Sequence, residues 1–115
     1  VSAPPTTLVE LASVIKAGVL FISGDTGPLH IAGALGTPVV GIYGPSNPER
    51  NGPWSSRDEV VSASGGCQCL KRYQNRGAVG VARRCENSIW CLEDVTVRDV
   101  CAAVDRSLSG ISADA

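Results

Sequence analysis

The sequence predicts an α/β fold, in which a parallel sheet is flanked by helices, and three apolar runs indicate it. Residues 19–23 read as a strand that leads into a tight turn and then a short helix, residues 31–35, closed by Gly36. Residues 38–43 are apolar throughout, as parallel strands covered on both faces are. Residues 60–63 predict a short third strand. Two strands joined by a helix within about 25 residues form a βαβ unit with a right-handed crossover.

A first helix is predicted before these strands. Thr7 and Glu10 fit a capping box, and the helix is expected to run to about Lys16 and to end at Gly18. Its predicted inner face consists of apolar residues at helical spacing, namely Leu8, Leu11, Ala12, Val14 and Ile15.

A last helix is predicted from the polar residues 96–99 onward. Its expected inner face consists of Val97, Val100, Cys101, Val104 and Leu108, with Cys101 as a core residue. Residues after Ser109 read as a flexible tail, so the domain is expected to cover residues 1–109 and the tail residues 110–115.

Composition narrows the class of protein. Of 115 residues, 43% are hydrophobic and 18% are charged, which is typical of a globular chain and not of a disordered one. The net charge of -1 gives no attraction to nucleic acid. No apolar run approaches the roughly 20 residues of a membrane helix, so a soluble protein is expected. The chain lacks Met, even at position 1, and a complete doubly wound sheet generally has about five or six strands. A fragment is therefore expected, with the missing strands before Val1.

The turn at residues 24–30 is the candidate binding site. Pro28 suits the first helical position, with Thr26 or Gly27 at the cap, and the first N–H groups of such a helix attract an anion, phosphate above all. Asp25 and His30 lie within about one helical turn of that start. Each has a structural alternative, since Asp25 can order a turn and His30 can be a hydrogen-bonded structural histidine.

A nucleotide diphosphate fits this combination of groups. Thr26, Gly27 and protonated His30 could bind its phosphates, and Asp25 could accept from ribose or sugar hydroxyls. Neither G-x-G-x-x-G nor G-x-x-x-x-G-K-[ST] occurs in the chain, so the sequence predicts neither a dinucleotide fingerprint nor a P-loop.

A loop rich in Gly and Pro, residues 44–54, follows the second strand. Loops that leave the carboxyl ends of parallel strands line the ligand crevice, so this loop and the Asp25 turn are expected at one edge. Ser46 and Asn47 are its candidate ligand contacts. The alternative interpretation is a rigid turn that binds nothing.

The cysteines in residues 64–91 leave three alternatives open. Cys67, Cys69, Cys85 and Cys91 could be free thiols, ligands of a structural zinc, or disulfide partners, although their spacing departs from the paired C-x₂₋₄-C of zinc sites. The basic residues between positions 71 and 84 read as a solvated loop or, alternatively, as a contact for phosphorylated lipid.

Three motifs together resemble a known family. They are residues 25–30 (D-T-G-P-L-H), residues 32–40 (A-x-A-x-G-x-P-x-V) and residues 44–48 (G-P-x-x-P). From about Thr7 to Val104 the chain resembles the C-terminal half of the bacterial heptosyltransferases of glycosyltransferase family 9, which build the inner core of lipopolysaccharide. The resemblance implies a partial Rossmann-like domain, the C-terminal nucleotide-sugar-binding domain of a two-domain GT-B enzyme.

The resemblance also implies a mechanism. ADP-heptose would be the donor, contacted by Asp25, Thr26, Gly27 and His30, and transfer would invert the anomeric carbon with no cofactor or metal. His30 would be the catalytic group that stabilises the leaving diphosphate. The lipopolysaccharide core acceptor would bind mainly to the missing N-terminal domain. The protein would be located in the cytoplasm and could also make peripheral contact with the inner face of the inner membrane.

The family's proposed catalytic aspartate, a donor-binding lysine and an acidic residue fall upstream of this chain. The 115 residues alone are therefore expected to lack transferase activity and to bind the donor weakly at best. Two alternatives remain, namely another GT-B enzyme that uses a UDP sugar, such as an N-acetylglucosamine 2-epimerase, and a non-enzymatic Cys-rich module that binds metal or a partner.

Overall fold

A computed structural model of the chain describes residues 2–44, 52, 54–62 and 91–114. The helices in these ranges are α1 (Leu8–Ala17), α2 (Gly27–Leu35), a 3₁₀ helix (Cys91–Asp94) and α3 (Val97–Asp114). The strands are β1 (Phe21–Gly24), β2 (Val39–Tyr43) and β3 (Glu59–Ser62).

The described strands form one parallel sheet in the order β1-β2-β3. In its register, Phe21 lies opposite Val39 and Val40 lies opposite Glu59. The central strand β2 is almost wholly buried, as its uniformly apolar sequence predicts. The predicted α/β class, with a parallel sheet and flanking helices, is therefore confirmed, and it is consistent with a partial Rossmann-like domain.

Each face of the sheet packs against helices. On one face, α1 and α2 bury a core cluster of Ile15, Leu29, Ala32, Val39 and Tyr43. On the other face, α3 buries Val40, Val61 and Ala103. Val39 and Val40 lie in different clusters because successive strand residues point to opposite faces. Leu29 is fully buried, which stabilises the first turn of α2 against the sheet by roughly 1.5–3 kcal/mol.

The start of α1 forms the predicted capping box. The Glu10 N–H donates to Thr7 Oγ1 at 3.2 Å, and the Thr7 N–H donates to Glu10 Oε1 at 3.1 Å. Gly18 ends the helix as expected, with extended rather than left-handed backbone (φ −75°). The inner face predicted for α1 includes residues that are exposed in the structure. Ile15 is buried, whereas Leu8 and Val14 are exposed in the described structure.

The buried face of α3 differs from the prediction. Ala103 and Ser107 are buried, while Val97, Cys101 and Leu108 are exposed, so the expectation that Cys101 lies in the core is wrong. Small side chains let the helix approach the sheet closely, and the larger apolar residues then lie at its flanks. The hydroxyl of Ser107 is satisfied because it donates to the carbonyl of Arg57 at 3.1 Å.

An ion pair also ties α3 to the sheet, with Arg106 Nη2 at 3.1 Å from Glu59 Oε2. The helix continues to Asp114, past Ser109, where the sequence predicts a tail. The division of the chain at residue 109 stays a prediction. Among the described helices, none combines the length and apolar character needed to cross a bilayer.

Candidate functional site

The candidate site begins where β1 ends, at Gly24. Asp25 and Thr26 form the turn, and α2 starts at Gly27. The Ser23 and Thr26 hydroxyls share a hydrogen bond of 3.1 Å that closes the turn. Because the sheet is parallel, this turn lies at its carboxyl edge, where ligands bind in open α/β sheets.

The start of α2 is not capped by its own side chain. Thr26 is the N-cap residue, with extended backbone (φ −137°, ψ 168°), yet its side chain makes no capping hydrogen bond. Pro28 follows the first helical residue, one position later than predicted, and has no N–H to donate. The Leu29 and His30 N–H groups donate to the Thr26 carbonyl at 3.1 and 3.4 Å. The Gly27 N–H has no partner within the helix.

The space over Gly27 contains no atom of the described residues. A Cβ atom added there would meet no described atom within 4 Å. The partial positive charge of a helix start is strongest in its first turn. The geometry therefore provides both a backbone donor and the room for an anion to approach it.

Asp25 and His30 form a pair at this helix start. His30 Nε2 lies 3.1 Å from Asp25 Oδ1, and the side chains are 46% and 13% exposed, respectively. Because a carboxylate only accepts, the hydrogen bond places a proton on Nε2. A protonated imidazole has a second N–H at Nδ1, which is the group it can offer to an anion.

Trp54, which the sequence analysis did not single out, contacts the same histidine. The indole and imidazole ring centroids are 5.2 Å apart, with the planes at 80° in an edge-to-face arrangement. Trp54 also covers Gly33, where an added Cβ would lie 2.6 Å from two ring carbons. A large aromatic residue at the end of a loop rich in Gly and Pro is the only signal in the sequence that could have indicated this contact.

Asp58 fixes the backbone on either side of Trp54. Its Oδ2 atom accepts from the N–H groups of Trp54 and Ser55 at 2.9 and 2.8 Å. Its Oδ1 atom accepts from the Val39 N–H at 3.0 Å, at the start of β2. One carboxylate therefore ties the segment that carries Trp54 to the central strand.

Tyr43 lies buried close to the site, at the end of β2. Burial of the phenol raises its pKa, and the Asp25 and Asp58 carboxylates raise it further. The chain passes over this ring at Gly52, whose φ is +149° and where an added Cβ would lie 2.9 Å from Tyr43 Oη. Glycine is required there by both the backbone conformation and the close approach.

Several candidate residues fall outside the described part of the chain. They are Ser46, Asn47, Cys67, Cys69 and Cys85, the side chain of Cys91, and the basic residues between positions 71 and 84. Their proposed roles stay predictions. Within the described ranges, no group of three or more His, Cys, Asp and Glu side chains could hold a metal ion.

A concave surface of about 300 Å³ lies away from this turn, at the start of α3. Ile42, Leu92, Val97, Val100 and Cys101 are among its lining residues. The described residues that line this surface carry no charge that could pair with a diphosphate, so the turn at residues 24–30 remains the candidate site.

The family is shown by a match to residues 2–78, which fit the description "Glycosyltransferase family 9 (heptosyltransferase)". The chain belongs to glycosyltransferase family 9. The matched residues include α1, β1, α2, β2 and β3, and with them the Asp25–His30 pair and Trp54.

Several curated relatives of this chain are heptosyltransferases by name. The family 9 chain is 46% identical over 57 residues to the lipopolysaccharide core heptosyltransferase OpsX of Haemophilus influenzae. It is 36% identical over 56 residues to lipopolysaccharide heptosyltransferase 2 of Salmonella typhimurium and of Escherichia coli. These matches cover about half of this chain and 16% of each relative. No solved structure matches this chain.

Proposed function

We propose that this chain supplies the donor-binding part of a glycosyltransferase and that the start of α2 binds the diphosphate of a nucleotide sugar. The Thr26 and Gly27 backbone and protonated His30 bind the phosphates. Asp25 accepts from a ribose or sugar hydroxyl while it holds His30, since a carboxylate offers about four acceptor sites. The observation that carries the proposal is the Asp25–His30 pair beside an uncapped helix start.

The relatives support a specific donor and acceptor. Their names state that they are heptosyltransferases of lipopolysaccharide. We therefore propose ADP-heptose as the donor and the lipopolysaccharide inner core as the acceptor, with the acceptor held by an N-terminal domain. Ser46 and Asn47, in the loop after β2, are proposed as further donor contacts.

The proposed transfer inverts the anomeric carbon without a metal ion. The bond from that carbon to the diphosphate oxygen breaks as an acceptor hydroxyl attacks, and negative charge grows on the leaving group. Preorganised donors aimed at such charge lower the barrier, and losing one typically costs about 3 kcal/mol, or roughly 100-fold in rate. His30 and the α2 start are the donors that this chain provides.

Binding to the 115-residue chain tests the site directly. We expect ADP to shift the backbone amide resonances of Thr26 and Gly27 in an NMR titration, and UDP to shift them less. ADP shifts confined to other residues would exclude the α2 start as the diphosphate site. Stronger binding of UDP would instead indicate a UDP-sugar enzyme, and a response to zinc without one to ADP would indicate the Cys-rich module.

Kinetics of the full-length enzyme test the role of His30. The His30→Ala variant should lower kcat about 100-fold with a smaller rise in KM, because the imidazole acts on charge that develops in the transition state. An unchanged kcat would make His30 a structural residue. The 115 residues alone should give no product from ADP-heptose and a core acceptor.

A further inference from the structure

We propose that Trp54 is a positioning residue for His30, an inference that rests on the proposed role of His30 as a phosphate-binding group. The indole holds the imidazole in the orientation that keeps Nε2 on Asp25 and presents Nδ1 to the ligand. Trp54 therefore acts on the ligand through His30 and makes no contact of its own with it.

The contact between the two rings supports this role. His30 is nearly half exposed, and an exposed side chain exchanges rapidly between rotamers. Two contacts restrict it, namely the 3.1 Å hydrogen bond to Asp25 and the edge-to-face packing of Trp54 at 5.2 Å. A hydrogen bond at one ring atom leaves the imidazole free to rotate about it, whereas a second contact on the ring removes that freedom.

The place of Trp54 is not explained by core packing. The side chain is 42% exposed and belongs to neither of the two core clusters of the described residues. Its indole instead lies on the outer side of α2, over Gly33, one helical turn after His30. The absence of a side chain at Gly33 creates the space that the indole fills.

The segment that carries Trp54 is itself anchored. Asp58 accepts from the Trp54 and Ser55 N–H groups and from the Val39 N–H in the central strand. These hydrogen bonds fix the position of the indole relative to the sheet. This anchoring is what a group needs if it is to fix the orientation of another.

A double-mutant cycle with ADP binding tests the proposal. Trp54→Ala should weaken ADP binding about tenfold in the otherwise unchanged chain, and Trp54→Phe should restore most of it, because a phenyl ring can also pack edge-to-face. In a His30→Ala background, Trp54→Ala should have no further effect. An equal loss in both backgrounds would overturn the proposal, since Trp54 would then act on the ligand directly or through the fold.

A pair of glycine variants separates positioning from stability. Gly33→Ala should displace the indole and weaken ADP binding several-fold, while the urea midpoint does not fall, because alanine favours the helix. Gly110→Ala in α3 is the matched control, since an added Cβ there meets no described atom within 4 Å. It should leave ADP binding unchanged. Unchanged binding in Gly33→Ala would contradict the proposal.

Measurements without ligand keep this inference separate from the proposed function. Three-bond couplings report the χ1 rotamer of His30, which should be single in the unliganded chain and averaged in Trp54→Ala and Gly33→Ala. A single rotamer in all three proteins would overturn the positioning role even if ADP binds. If the His30 rotamer is averaged in the two variants but none of the three proteins binds ADP, then Trp54 does orient His30, and the proposed phosphate site is wrong.

Discussion

A threonine immediately precedes each of the three α-helices of the described chain, but only two of these threonines cap their helix with the side chain. In α1, Thr7 Oγ1 accepts from the Glu10 N–H, and Glu10 accepts in return. In α3, the Asp99 N–H donates to Thr96 Oγ1 at 3.2 Å, and the Thr96 N–H donates to Asp99 Oδ2 at 2.9 Å. In α2, the hydroxyl of Thr26 turns to Ser23 instead.

The third residue of each helix differs in the same way. Glu10 and Asp99 are exposed acids that reach back to the cap, whereas the equivalent residue of α2 is the fully buried Leu29. A side-chain cap is worth about 1 kcal/mol, and burial of Leu29 offsets its absence. The starts of α1 and α3 are therefore satisfied by their own side chains, while α2 is held by the core and leaves its start available to a ligand.

The largest effect is expected from a negative charge placed at the N-cap of α2. Thr26→Asp should weaken ADP binding about 10- to 100-fold, because a carboxylate beside the helix start repels the diphosphate. The same change should raise the free energy of unfolding by a few tenths to about 1 kcal/mol, since aspartate is a better cap than threonine. Isothermal titration with ADP and urea denaturation measure the two effects.

Thr26→Asn is the matched control for that variant. Asparagine has nearly the shape of aspartate and caps as well, but it carries no charge. It should stabilise the chain similarly and lose much less affinity. Equal losses of affinity in both variants would mean that space, rather than charge, decides what binds at this start.

Alanine in place of each threonine tests whether the caps differ in energy. Thr7→Ala and Thr96→Ala should each lower the free energy of unfolding by about 1 kcal/mol. Thr26→Ala should cost less than half of that, because no capping hydrogen bond is lost. Urea denaturation decides this, and a cost at Thr26 as large as at the other two positions would erase the distinction between the helices.

The smallest expected effect is a dependence of stability on pH. Hydrogen bonds from the backbone N–H of Thr7 and Thr96, and to a smaller extent from their hydroxyls, lower the pKa values of Glu10 and Asp99 from their ordinary values of 4.5 and 3.8. Carboxyls with lowered folded-state pKa values contribute stability that is full above these ordinary values and is lost as the pH falls through the folded-state values.

The urea midpoint should therefore decrease between about pH 5 and pH 3. The decrease should be slightly shallower in the Thr7→Ala and Thr96→Ala variants, which lose the hydroxyl contribution to the lowered pKa values but keep the backbone N–H that donates to each carboxylate. Thr26→Ala provides the reference, because α2 has no acidic residue in its first turn. Parallel curves for all four proteins would show that the capping carboxyls do not govern this range of pH.

The features that the sequence predicted correctly depend on neighbouring residues. Apolar runs gave the three strands, and the Thr7–Glu10 spacing gave a capping box that the structure forms. The buried face of α3 could not be predicted from apolar character, since Ala103 and Ser107 are buried for their small size and Cys101 is not.

In the candidate site, too, the contact between residues close in sequence was predictable and the contact between distant residues was not. Asp25 and His30 are five positions apart, so their proximity follows from a turn and one helical turn. The contact of Trp54 with His30 and Gly33 joins residues distant in sequence, and no periodicity encodes it. The contact depends on the Asp58 carboxylate, which accepts hydrogen bonds from both the Trp54 N–H and the Val39 N–H at the start of β2.

The position of β1 within the sheet has a consequence for hydrogen exchange. Among the described strands β1 pairs on one side only, with β2, and its Ile22 is 47% exposed, whereas β2 is paired on both sides and buried. Backbone amides of β1 should therefore exchange with deuterium sooner than those of β2. Any molecule that docks at the end of β1 would slow this exchange, so protection of the β1 amides gives a readout of occupancy that needs neither turnover nor a labelled ligand.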